Sequence, residues 1–150
     1  MDDGTLDWLA FHLTFRTSPA AGRRALARLG TVHELFRSQP ADLEGLRLSK
    51  AAVASVSTRA ALGAAAAELE KIQRKAYTLL TFEEPGYPRQ LREIYDPPAV
   101  LYCEGRPEVL NELAVAVVGS RRPSPYGRAL AAKLAGDLAR RGTVIVSGLA

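Results

Sequence analysis

The sequence predicts an α/β chain in two parts, an all-helical module over residues 1–76 and then, over residues 77–150, the opening strands and helix of a parallel sheet. Three observations carry this. Up to Ala76 the apolar residues recur at helical spacing between short corners, and after it they gather in runs of strand length separated by turn residues. Near the C-terminal end the order strand, loop, helix, strand is that of one parallel crossover unit. Charge divides the chain in nearly the same places: residues 1–75 hold 11 basic and 8 acidic side chains, residues 76–118 hold 3 and 7, and residues 119–150 hold 6 and 1.

In the helical part, Ser18-Pro19 supplies an N-cap and a first-turn proline, Leu26 and Leu29 an apolar edge, and Gly30 a stop. Thr31 and Glu34 have capping-box spacing, with Leu35 and Phe36 behind them as core residues. Pro40 opens another short helix. Ser49 then caps a long one, predicted as a single helix over 50–76, with Val53, Val56, Ala60, Leu69 and Ile72 on one face. Trp8, Phe11 and Phe15 read as the core of this bundle. The pattern is compatible with a SAM-like or helix-hairpin-helix-like domain. A backbone-binding hairpin wants closely spaced glycines, and Gly45-Leu-Arg-Leu-Ser49 offers one, so structural support or partner contact is the reading for this module.

Past Ala76, Tyr77 to Phe82 is rich in β-branched and aromatic residues, Glu84-Pro-Gly-Tyr-Pro88 is turn chemistry, and Ala99–Cys103 and Leu113–Val118 are apolar runs of strand length. Ser124 and Pro125 are suited to start a helix. Its Leu130, Leu134 and Leu138 form an i, i+4, i+8 stripe that would pack on the sheet, and Gly142 ends it before the strand Val144–Val146.

Composition excludes several classes of function. With 150 residues, 47% hydrophobic and 24% charged, the chain is ordinary globular protein. One cysteine, Cys103, excludes an intramolecular disulfide, and with two histidines, His12 and His33, it cannot form a standard structural zinc site; no metal or cofactor is expected. Cys103 reads as buried filler and the histidines as packing or surface residues. No basic region leads into an apolar run at the start, and the alanine-rich stretch 51–67 is too polar to span a bilayer, so the expected location is the cytoplasm, away from membranes.

The chemistry lies at the first crossover. Gly119 follows the buried strand at the carboxyl edge of the sheet, where open α/β folds bind ligands. The free N–H groups of Tyr126, Gly127 and Arg128 would face it from the next helix start. A dinucleotide fingerprint fails, because Ser120, Arg121, Arg122 and Pro123 stand where further glycines belong; a Walker-type loop fails for want of Gly-Lys-Ser/Thr. What remains suits a few phosphates gripped by charge and by bidentate guanidinium bonds. Arg128, Arg140 and Arg141 read as a solvated helix face.

The run Val117-Val-Gly-Ser-Arg-Arg-Pro-Ser-Pro-Tyr-Gly127, followed by Leu138-Ala-Arg-Arg-Gly-Thr-Val-Ile-Val-Ser-Gly-Leu-Ala150, resembles the core of the DNA-processing protein A family, DprA or Smf. Upstream, Tyr87-Pro88, Leu91, Asp96-Pro-Pro-Ala-Val-Leu-Tyr102 and Gly105 resemble that family's lead-in to its Rossmann-like domain. The resemblance implies a homodimer that binds and protects single-stranded DNA and delivers it to the RecA recombinase in natural transformation, with no catalytic chemistry. It places a phosphate-gripping loop on Gly119, Ser120, Arg121 and Arg122, and the start of a second loop on Ser147 and Gly148. Family members continue past this point through a Gly-x-Asp segment, so the chain is expected to be the N-terminal part of a longer protein, its Rossmann-like domain truncated. The alternative is a nucleotide-processing Rossmann-like enzyme of the phosphoribohydrolase type, which the pattern Val-Gly-Ser, helix, Arg-Gly-Thr-Val-Ile-Val-Ser-Gly also resembles. Those enzymes carry their catalytic Glu and Arg on a later Pro-Gly-Gly-x-Gly-Thr segment.

Overall fold

The computed structural model describes residues 3–148. Helices α1 (Asp3–Phe15), α2 (Pro19–Leu29), α3 (Val32–Arg37), α4 (Pro40–Leu43), α5 (Lys50–Ser57) and α6 (Ala60–Arg74) lead into strand β1 (Thr78–Thr81). A single turn α7 (Arg89–Arg92), strand β2 (Val100–Cys103), a 3-10 turn (Pro107–Asn111), β3 (Ala114–Ala116), α8 (Pro125–Ala139) and β4 (Val144–Val146) complete the order. The chain groups into two compact units, Met1–Pro107 and Glu108–Ala150.

In the first unit α1 runs along α6 and also meets α2, α3 and α5. Its buried face carries Trp8, Leu9, Phe11 and Phe15. The Trp8 and Phe11 rings meet edge to face at 5.6 Å, and the Phe11 and Phe15 rings lie 5.0 Å apart. The corners are closed by side chains as their spacing predicts. Glu34 N–H donates to Thr31 Oγ1 (3.1 Å) while Thr31 N–H donates to Glu34 Oε2 (3.0 Å), and Ala52 N–H donates to Ser49 Oγ (3.1 Å). Ser18 differs: with φ −147° and ψ 65° its hydroxyl makes no cap bond, and its carbonyl instead accepts from Ala21 and Gly22.

The long helix expected over 50–76 is two helices. Thr58 ends α5, and Arg59, at φ 56°, turns the chain so that α6 folds back against α5. No proline or glycine marks the break, because an arginine occupies the left-handed position. At its far end α6 closes on Ala76 (φ 53°): Tyr77 N–H donates to Ile72 O at 3.1 Å and Ala76 N–H to Gln73 O at 3.0 Å, the paired bonds of a Schellman stop.

The change of periodicity at Ala76 is a change of element type, yet β1 and β2 pack with the helices, with Val100 inside the helical core and Leu79 and Phe82 against it. These strands are antiparallel, in register Thr78↔Cys103 through Thr81↔Val100, and do not join the parallel sheet. The connection between them holds only the one-turn α7, too little for the crossover helix a parallel pair needs. It is instead tied down by motif residues. Tyr87, fully buried, donates its hydroxyl to Pro98 O (2.7 Å) and packs on Phe82, while Arg23 of α2 forms an ion pair with Asp96.

Among the described residues of the second unit, 108–148, none is buried. β3 and β4 are parallel, in register Ala114↔Val144, Val115↔Ile145 and Ala116↔Val146, and α8 connects them. The leucine stripe of α8 packs only in part: Leu138 is half-buried, whereas Leu130 and Leu134 are 40% and 51% exposed. Two three-residue strands present too little surface to cover a fifteen-residue helix.

Candidate nucleic-acid interface

The parallel ladder sets where the candidate residues stand. Val117 N–H donates to Val146 O at 2.9 Å, extending the pairing one step past β3. Beyond that bond the two chains separate, one into Gly119-Ser120-Arg121-Arg122 and the other into Ser147-Gly148. Because the strands are parallel, both segments leave from the same carboxyl edge. All six residues are exposed.

Within the first loop, Arg122 N–H donates to Ser120 Oγ (3.2 Å), a local turn that fixes the arginine backbone relative to the serine. Among the described residues neither Arg121 nor Arg122 is paired with a carboxylate. Gly119 is not in the left-handed region, and a Cβ built on it would meet nothing within 4 Å. Its bare Cα leaves an open approach to the backbone.

The helix start is narrower as an anion site than the sequence predicts. Ser124 caps α8 by accepting from Gly127 N–H at Oγ (3.1 Å), and its carbonyl accepts from Arg128 N–H (3.0 Å). Of the three amides expected to be free, Gly127 and Arg128 are thus satisfied within the chain and only Tyr126 is left. The cap that starts the helix uses the donors an anion would need. Charge at this edge consequently rests on the two arginine side chains.

The remaining sequence candidates lie elsewhere. Arg140 at the far end of α8 pairs with Asp137, and Arg128 and Arg141 are exposed. Gly142 (φ 85°) ends the helix there, with Thr143 N–H donating to Leu138 O at 3.2 Å. Cys103 is half-buried in β2, and burial pushes its thiol above the ordinary value, away from the reactive thiolate. Burial, aided by the Arg16 charge, lowers the pKa of His12, whose ring lies 6.2 Å from that of Tyr102. His33 Nδ1 sits 2.8 Å from Asp7 Oδ2. Among the described residues no group of three or more His, Cys, Asp or Glu side chains could hold a metal ion, and no helix is long and apolar enough to cross a membrane.

Sequence reasoning passed over one basic cluster. Arg24, Arg28 and Arg47 line a single open cleft in the helical unit. The i, i+4 spacing of the first two was legible, but the arrival of Arg47 depends on a turn made by tertiary packing.

Residues 78–150 match the profile of the family described as DNA recombination-mediator protein A. The DNA processing protein DprA of Bacillus subtilis is 45% identical over 65 residues, 43% of this chain and 22% of that protein. Protein Smf of Synechocystis is 41% identical over 86 residues, 55% of this chain and 22% of its own length. Protein Smf of Escherichia coli is 37% identical over 79 residues, 53% of this chain and 21% of its own. The chain thus spans about a fifth of the length of these relatives. The β1-to-β4 segment, residues 78–150, is thus similar to the DNA recombination-mediator protein A family.

Proposed function

We propose that this protein binds single-stranded DNA without chemistry of its own, through phosphates held at the carboxyl edge of a Rossmann-like sheet by Gly119, Ser120, Arg121 and Arg122, with Ser147 and Gly148 on the neighbouring strand end. The observation that supports this most is the pair of exposed arginines without acidic partners, beside an unobstructed glycine, on the same edge as the second loop. Guanidinium forks grip phosphate oxygens bidentately, and nothing in this loop reads bases, so affinity comes mainly from charge. The description of the family as a recombination mediator, and the relatives named for DNA processing, point to DNA rather than a free nucleotide. On this reading the protein acts in the cytoplasm as a homodimer, shields incoming DNA during natural transformation and passes it to the RecA recombinase.

The test is R121A/R122A, with anisotropy of a labelled oligothymidine read over a range of salt concentrations. Removing two phosphate contacts should weaken binding roughly 10-fold at moderate salt and flatten the plot of log affinity against log salt by about 1.4. Unchanged single-strand affinity rejects the loop. Release of base from a nucleoside monophosphate by the purified protein would replace the binder with an enzyme of the phosphoribohydrolase type.

A further inference from the structure

The helical unit holds three arginines that the Gly119 loop does not involve. Arg24 and Arg28 lie one turn apart on α2, and the turn after α4 brings Arg47 beside them; with Ala27, Gly45 and Leu46 they line an open cleft of about 750 Å³. No carboxylate lines the cleft. Among the described residues none of the three is in an ion pair, whereas Arg23, next to Arg24 in the chain, pairs with Asp96. Three like charges sharing one concavity repel one another, and a bound anion removes that cost.

The turn is shaped for this arrangement. Gly45 (φ 79°) and Arg47 (φ 52°) both adopt left-handed backbone, and Leu46 between them is buried while Arg47 is exposed. Leu46 anchors the turn in the core, and Arg47 faces the cleft at a conformational cost that glycine or asparagine would avoid.

We propose that this cleft is a second nucleic-acid site, which holds consecutive phosphates of one strand. Arg24 and Arg28 are separated by about 6 Å along the helix axis, similar to the step between neighbouring phosphates on an extended strand. Arg47 adds a third fork from the turn. The apolar lining is Ala27 and Leu46, with no aromatic ring on which a base could stack, so contact is with the backbone and is indifferent to sequence. The site stands on residues separate from the carboxyl-edge loop, and each can fail without the other.

The test compares the chain with R24A/R28A/R47A and, separately, R121A/R122A, using labelled oligothymidine of about 20 nucleotides over a salt series. Loss of three phosphate contacts should weaken binding about 10-fold or more at moderate salt and reduce the salt slope by about 2. Unchanged affinity and slope in the triple variant overturn the cleft whatever the loop variant does; a loss in the triple variant with none in R121A/R122A upholds the cleft and rejects the loop. No binding by the unaltered chain overturns both. An NMR titration of the unaltered chain covers the case of a misfolded variant: the amides of Gly45, Leu46 and Arg47 should shift on adding oligothymidine, and their failure to move overturns the cleft. Displacement of the oligonucleotide by polyglutamate at equal charge also overturns it, in favour of an acidic protein partner.

Discussion

Gly22 sits inside α2 with its Cα against two aromatic rings. A Cβ there would lie 2.7 Å from Phe11 Cζ and 2.9 Å from Phe15 Cγ. Alanine would improve local helix propensity by about 1 kcal/mol, but here it must push two buried rings of α1. Gly22→Ala is therefore expected to destabilise the chain by about 1–3 kcal/mol, read as a lower urea midpoint at unchanged slope; a higher midpoint would show that the rings yield freely. At this scale the sequence was partly legible. Trp8, Phe11 and Phe15 read correctly as core from spacing alone. The need for glycine at position 22 was not, because it depends on how closely a second helix approaches. Tyr87 and the Asp96-Pro97-Pro98 run were visible as separate motifs, and only the fold joins them through the Tyr87 hydroxyl and Pro98 O.

Elements were legible where a side chain closes its own helix. Thr31 with Glu34, Ser49 and Ser124 all make the cap bonds that their spacing predicts, since those bonds span only three residues. Ends made by unfavourable backbone carry no such signal. The break between α5 and α6 falls on Arg59 and the end of α6 on Ala76, both left-handed, neither a residue that announces a turn. Ala76→Gly should relieve the strain while keeping the bonds from Ala76 and Tyr77 to Gln73 and Ile72. The expected gain is about 0.5–1 kcal/mol, seen as a raised thermal midpoint; no gain would mean that the added freedom of the unfolded glycine chain offsets the relief. Helix capping also altered the candidate site. The Ser124 cap identified from sequence uses the Gly127 amide that the same reading reserved for an anion.

Across the whole molecule, burial is concentrated in one unit. Every buried residue among those described lies before residue 108; α8 and β4 carry exposed Leu130, Leu134 and Val146, and exposed Leu113 and Val118 flank β3. Backbone hydrogen bonds not covered by packed side chains open readily. Amide exchange in this chain should therefore be at least about 10-fold faster in β3, α8 and β4 than in the centres of α1 and α6; equal protection in the two units would contradict the burial pattern. Charge is distributed on the same scale. The basic excess of residues 119–150 was plain in the sequence, whereas the Arg24, Arg28 and Arg47 cluster was hidden within a segment of 11 basic and 8 acidic residues.

By itself the sequence determined the mixed helix-and-strand class, the caps at Thr31, Ser49 and Ser124, the aromatic core, the strand-loop-helix-strand order and the motifs of the recombination-mediator family. These rest on interactions between residues near in sequence, or on patterns of residue type that survive without coordinates. The tertiary structure decided which strands pair and in which direction, where the Ala-rich helix folds back and which arginines share a cleft. Each of those depends on segments far apart in the chain meeting, and on left-handed residues whose identity does not announce them. Local spacing can specify a bond across three residues, but a cleft formed by α2 and the turn after α4 exists only once the core has brought them together.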